Sequence, residues 1–465
     1  MTTHASRREF LRIASAVSAV AGSATPWALN LAGIGAAAAQ TPVTDYRALV
    51  CIFLFGGNDH SNTIVPSDAA GFAAYQTART NLALAQASLL PLNATVASAN
   101  PSLAGGRQIA MRAEMAGLKG LYDAGRVAVL ANVGPLIVPT SMTDNRGRRV
   151  PLPLGLFSHN DQQSTWMAGA REGARVGYGG LLGDMFAAAN QFQNFTCMSA
   201  SGTAVFLSGR STAQMQIGNN GAVQINALNN QTLFGGQATG TALRALMTSD
   251  RGNTLEKDYN AINRRAADAA AALNTALAGF PSTAAPFSAF PATGLGNQLR
   301  NISRIIAART ALGAQRQVFF ASIGGFDQHS GLVNGHGPLW QQISDAMVAF
   351  NGAVDALGVA SNVVAFTASD FGRTLNSNGQ GSDHGWGAHH LVLGGAVRGN
   401  ELYGTWPETT LGGPNDVGRG NLLPTTSVEQ YAATLAKWFG VPAGSMATAV
   451  PRIGNWSTTD LGFLG

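Results

Sequence analysis

Residues 48–55 form an unbroken apolar run that stops at Gly56-Gly57. A strand with one face in water alternates apolar and polar side chains. A run with no polar break is buried on both faces, as at the centre of a parallel sheet. The pattern recurs. Arg126–Val133 reads as a second strand, Gln317–Ile323 as a third that stops at Gly324-Gly325, and Asn362–Thr367 as a fourth that leads to Ser369-Asp370. Between them, Met115, Leu118, Leu121 and Tyr122 fall at helical spacing within 112–124, and Leu339, Ile343, Met347, Phe350, Val354 and Leu357 mark one face of a later helix. Strand–helix alternation predicts an α/β fold built on a doubly wound, mostly parallel sheet. Ligands of such sheets collect outside the carboxyl ends of the strands. Asp59, Asp327 and Asp370 each follow a strand within a few residues.

The middle of the chain has a different texture. Residues 186–240 are rich in Asn, Gln, Gly, Ser and Thr, with a short strand expected at Ala204–Leu207. Residues 241–280 and 294–311 have helical patterns, and 278–297, rich in Pro, Ala, Ser and Thr, is the best flexible candidate. The expectation is one domain over 40–465, with 186–300 as a polar and helical insertion or cap over the sheet. Residues 398–424 form a Gly- and Pro-rich loop, and Val428–Phe439 is a closing helix with Val428, Tyr431, Leu435 and Trp438 on one face.

A chain of 465 residues with 46% hydrophobic content supports a large core, while only 11% of residues are charged. Lysine is confined to Lys119, Lys257 and Lys437. The formal charge is +5, and Arg7, Arg8 and Arg12 against Glu9 leave the chain beyond Ala39 near +3. No basic block or basic–aromatic interleaving appears, which argues against nucleic acid as a partner. The N-terminus carries the twin-arginine sequence Ser6-Arg7-Arg8-Glu9-Phe10-Leu11, a weakly apolar Ala/Gly stretch, and Ala36-Ala37-Ala38-Ala39-Gln40. This is a signal peptide over 1–39 with an Ala-x-Ala cleavage site, not a membrane span. It predicts handling by the twin-arginine translocase and a periplasmic or secreted mature protein. Cys51 and Cys197 could pair in such a compartment. Cys51 lies inside the first apolar run, where a buried free thiol fits at least as well.

Of the eight histidines, His4 is in the leader and the other seven fall in four short segments. These are Asn58-Asp59-His60, Ser158-His159-Asn160-Asp161, Asp327-Gln328-His329 running on to His336, and Asp370-Phe371-Gly372-Arg373 running on to Asp383-His384 and His389-His390. His and Asp are the ligand set of zinc and similar divalent ions. In an extended segment, Asp327 and His329 point to the same side and can meet one ion. His384, in a Gly-rich loop, is the best single ligand candidate, with Asp383 as a second ligand or as the group that orients the ring. His389 and His390 would face opposite ways along a strand, so at most one reaches the site. Asp59 is a ligand or a turn residue. Arg373 near a metal either holds an oxyanion with its planar fork or makes a structural ion pair. Ser158 is either a helix cap, with Asp161 three residues on, or a hydroxyl that a metal activates as a nucleophile.

Gly56-Gly57-Asn58-Asp59 with Asn62, Ser158-His159, Gly325-Phe326-Asp327-Gln328-His329, Ser369-Asp370-Phe371-Gly372-Arg373-Thr374 and Asp383-His384-Gly385 together resemble the DUF1501 family of secreted proteins, from about residue 45 to the C-terminus. That family is placed in the alkaline phosphatase and sulfatase superfamily. The resemblance implies a doubly wound sheet, one or two divalent metals, and transfer of phosphoryl or sulfuryl groups. Zinc is the first choice, with magnesium, manganese or calcium as alternatives. Carried over, it makes Asp327, His329 and His384 one metal site, Asp59 and Asp370 a second, and Ser158 the nucleophile by chain order; in the expected hydrolase Arg373 would hold a nonbridging oxygen. Asp370-Phe371 stands where the superfamily has Asp-His, leaving the second site short of a ligand. No Cys/Ser-x-Pro-x-Arg signature exists, since Met-Ser-Ala-Ser follows Cys197, which argues against a formylglycine sulfatase. The expected function is metal-dependent hydrolysis of a phosphate or sulfate ester or a related anionic polysaccharide. The alternative is a non-catalytic, metal-containing surface or glycan-binding protein on the same scaffold.

Overall fold

The strands are β1 (Arg47–Leu54), β2 (Ile64–Pro66), β3 (Leu90–Pro91), β4 (Ile109–Met111), β5 (Val127–Gly134), β6 (Cys197–Ser199), β7 (Met215–Gly218), β8 (Gly221–Ala222), β9 (Arg316–Ile323), β10 (Val363–Ser369), β11 (Ala388–Gly394), β12 (Leu402–Tyr403) and β13 (Thr426–Ser427). The computed structural model describes residues 43–92, 100–103, 105–223 and 236–465. The leader and its twin-arginine motif lie outside them. One sheet runs β12–β5–β11–β10–β1–β9–β6–β7–β8, with β13 also on β5. Its centre is parallel: β1 lies between β10 and β9, and β6 continues from β9. Strand β11 is antiparallel to both β10 and β5. Strands β2, β3 and β4 form a small separate sheet. Tyr46–Gly465 is one compact unit, and among the described residues no helix is long and apolar enough to cross a membrane.

Strand β1 shows why both faces must be covered. Ala48, Val50, Ile52 and Leu54 join a core with Leu118 and Tyr122 of the helix Ala116–Asp123, Leu299, Ile302 and Ile306 of Gly294–Ala307, and Ile343, Met347 and Phe350 of Leu332–Ala356. Leu49, Cys51 and Phe53 point the other way, toward Trp166 of His159–Ala168, Leu182 of Tyr178–Phe186 and Tyr431 of Val428–Phe439. The period of two along the strand thus feeds two helical layers. Each large apolar side chain so buried contributes about 1.5–3 kcal/mol. Both cysteines are buried and free, and burial raises both thiols.

The 186–300 stretch adds β6, β7 and β8 to the sheet edge beside β9 and also supplies the long helix Thr254–Leu277. The strand expected at Ala204–Leu207 is instead a 3₁₀ turn at Val205–Leu207. The backbone N–H and carbonyl of Ala204 are both bonded by the Gln214 side chain, so they pair with no neighbouring strand. Residues 278–297 are anchored by buried Phe287 and Phe290 rather than loose.

Four histidines are core residues. His336 sits within the helix Leu332–Ala356, between Arg112 and the Asn58 Oδ1, 3.0 Å from Nε2. His389 accepts from the Asn132 N–H at 3.0 Å and stacks on Trp406. His390 faces the opposite side, against Trp166 and Tyr431. His60 packs edge-on against His389. Burial pushes His60 down to about 4 and His336 and His390 to about 3, and it holds His389 well below the usual imidazole value.

Two outcomes follow from this packing. Each of these rings titrates near 6.5 when unfolded, so its contribution is complete above that pH and is lost as pH falls toward 3–4. Glu429, pushed up to about 7 by burial, works in the opposite direction and is outnumbered. The melting temperature should therefore fall steadily from pH 6.5 to 4; a flat profile there contradicts the assignment. Second, Gly56 has φ +113°, and a Cβ there would lie 2.3 Å from the Asp327 amide nitrogen. Gly56→Ala should cost about 2 kcal/mol or more in urea unfolding. Gly324→Ala, where nothing lies within 4 Å, should stay within about 1 kcal/mol.

Candidate metal centre

The parallel register sets Leu54, Ile323 and Ser369 side by side. The loops that follow β1, β9 and β10 therefore leave the sheet at one edge. Asn58 then bridges Gly372, and Arg373 bridges His384, which carries the 382–384 segment to the same edge. His159 arrives from the first turn of the helix His159–Ala168, its ring 4.9 Å from Phe371 and 4.5 Å from His384.

Four side chains converge. The His329 Nε2 is 2.9 Å from the His384 Nε2 and 3.1 Å from Asp327 Oδ1, and the His384 Nε2 is 3.3 Å from the same oxygen. The His159 Nε2 is 3.4 Å from Asp327 Oδ2. The donor atoms of His159, Asp327 and His384 all lie within 4.8 Å of one another. The proton positions follow from the outer partners. His384 Nδ1 is 2.7 Å from the Phe157 carbonyl, which only accepts, so Nδ1 donates. His329 Nδ1 faces Asp383 Oδ1 at 2.9 Å, and His159 Nδ1 faces Asp370 Oδ2 at 2.7 Å. A neutral imidazole carries one hydrogen, so in the neutral tautomer that suits these partners each ring turns a bare Nε2 lone pair inward. In that state three lone pairs and a carboxylate meet with no hydrogen between them. A divalent cation satisfies that arrangement, and three imidazoles with one carboxylate form a donor set suited to zinc.

The surroundings tune these groups. Burial alone would raise the Asp327 carboxyl, but the Arg373 hydrogen bond and charge, with nearby histidines, hold it below its ordinary value. The Asp370 hydrogen bond raises His159, and burial lowers His384. Asp327 and His329 are each 46% exposed, so the cluster opens to solution.

Of the residues expected from sequence, Asp327, His329 and His384 are brought together. Asp370 stands one step behind, with its Oδ2 shared between His159 and the Gln163 amide at 2.8 Å. Asp59 is elsewhere: buried, ion-paired with Arg79, and accepting from Ser382 Oγ and the Asn62 N–H. Burial would raise its carboxyl, yet Arg79, helped by His336 and His60, brings it down to about 2. Arg373 is fully buried and donates to Gly56 O, Asp327 Oδ1 and Ser382, so it takes the structural role. Ser158 occupies the N-cap position without a side-chain cap bond, and His159 beside it enters the cluster. His159 was the residue sequence reasoning passed over. Its signal was the i, i+4 spacing with Gln163, which lets both hold Asp370. Asp383 orients His329, not His384.

Two of the solved structures remotely similar to the chain serve as examples. One is the crystal structure of Ps i-CgsB in complex with k-i-k-neocarrahexaose, 10% identical, with 89% of this chain and 77% of that one covered at a TM-score of 0.33. The other is the PsFucS1 sulfatase from Pseudoalteromonas sp., 9% identical, with 88% and 72% covered at a TM-score of 0.33. No curated protein matches the chain. The family model described as "Protein of unknown function (DUF1501)" matches residues 46–442, and the chain belongs to that family.

Proposed function

We propose that the protein is an exported, metal-dependent hydrolase acting on a phosphate or sulfate ester, or a related anionic glycan. The observation that supports this most is the solvent-open convergence of the His159, His329 and His384 Nε2 atoms on Asp327. Those four residues would hold one divalent ion, zinc by the donor set. Bound there, the ion supplies Lewis acidity at an ester oxygen. The chain's own groups prepare the place: Asp370, Asp383 and the Phe157 carbonyl keep the three Nδ1 protons outward, and Arg373 holds Asp327 in position. The twin-arginine leader supports export with the metal already loaded.

A second reading is favoured by one observation. The Arg373 fork is used internally, so the oxyanion role expected of it is not available. A metal-containing binding protein without turnover would need no such group.

Elemental analysis of the protein exported in its native compartment should find about one zinc per chain, and none in Asp327→Ala or His384→Ala. Asp370→Asn should weaken metal binding roughly 10–100-fold while leaving the four ligands in place. Metal-free native protein, or hydrolysis that persists in both alanine variants, would sink the proposal. Stable metal with no turnover across a panel of phosphate and sulfate esters would select the second reading.

A further inference from the structure

The wall behind His159 is also the wall of a pocket. The helix His159–Ala168 turns Asn160 and Gln163 into a cavity of about 280 Å³, closed by Phe55, Met167, Glu172 and the 203–205 loop. Gln163 belongs to both places, since its amide donates to Asp370, which orients His159. Phe55 is the first residue after β1, so the cavity opens at the same sheet edge as the metal-ligand cluster.

The chemistry of the lining is specific. Phe55 is half-buried and fixed against Phe53, 4.6 Å between ring centres, and against Phe320. It offers a flat apolar face. Around it stand the Asn160 amide, 3.4 Å from the Glu172 carboxylate, the Gln163 carbonyl oxygen, whose amide N–H2 is held by Asp370, and the Thr203 hydroxyl, which accepts from Gln216 and keeps its own hydrogen to donate. Among the described residues no Lys, Arg or His lines the cavity, and Glu172 is its one charged group. An anionic guest would meet a like charge with no counter-ion. Pockets for drug-sized ligands run from roughly 300 to 1,000 Å³, so this one takes a single ring. A sugar ring combines apolar C–H faces with a rim of neutral hydroxyls, which matches a flat aromatic face ringed by amides and a carboxylate.

We propose that this pocket is a subsite for one uncharged sugar residue, held beside the metal-ligand cluster. The proposal builds on the hydrolase reading and narrows its substrate to a glycan. The ester reaches the His/Asp cluster, and the neighbouring residue carries no sulfate or phosphate.

Binding is tested apart from turnover. The full mature chain is titrated with neutral gluco-, galacto- and manno-configured trisaccharides and with their sulfated counterparts, followed by saturation-transfer NMR. At least one neutral trisaccharide should bind saturably. Thr203→Trp, at an exposed loop position on the rim, should weaken it at least tenfold with an unchanged melting temperature. Glu172→Lys should shift preference toward the sulfated form. His384→Ala should retain neutral-saccharide binding, so failure of the metal reading leaves this result standing. The proposal is overturned if no neutral trisaccharide saturates, if Thr203→Trp leaves binding unchanged, or if the native chain prefers the sulfated forms in this pocket. Metal-loaded protein with no saccharide binding overturns the subsite alone.

Discussion

Arg373 is the fastening point of the site. Its guanidinium is fully buried and reaches the Gly56 carbonyl from the loop after β1, Asp327 from the loop after β9, and Ser382 from the segment that delivers His384. A buried cation is costly unless its donors meet acceptors. The three loops therefore have to arrive together, or the charge stands uncompensated. Lysine has neither the planar fork nor the number of donors to do this. Of the two roles open to this arginine in the sequence, oxyanion holder or structural ion pair, its contacts are those of the second, and they bring the three loops into one place.

The fold was legible because its strands are so apolar. The runs at 48–55 and 317–323 and the segment 362–367 left little choice but a sheet covered on both faces, and the strand ends then located Asp327 and Asp370. What stayed hidden was pairing across space. Nothing local distinguishes Asp59, which meets Arg79, from Asp327, which meets three imidazoles. Both follow a strand and a Gly-Gly pair. His159 was obscured by its neighbour: a serine before a helix invites a nucleophile or a cap, and the histidine one residue on was not weighed for itself. Ala204–Leu207 failed for a related reason, because a single distant glutamine side chain took both hydrogen-bonding groups of Ala204.

The seven histidines beyond the leader divide by solvent and by partner. His159, His329 and His384 keep one nitrogen for a protein acceptor and turn the other toward open space beside Asp327. His60, His336, His389 and His390 are enclosed among aromatic rings and side-chain amides, where burial keeps them neutral. The same residue type thus stands as a candidate ligand where it is accessible and as packing where it is not. The strand β11 shows the switch is topological: His389 and His390 fall on opposite sheet faces, and neither reaches the cluster.

Phe157 has a left-handed backbone, φ +70°, and is not glycine. That unusual turn aims its carbonyl at His384, and two residues later the same chain presents His159. Within another four residues Gln163 faces the pocket. One short, locally strained segment therefore underlies one candidate ligand, the orientation of a second and the wall of a cavity. Any free energy that an occupant of the cavity spends ordering this segment is spent equally on behalf of the cluster. Any coupling carried by this segment would be reciprocal between the two places.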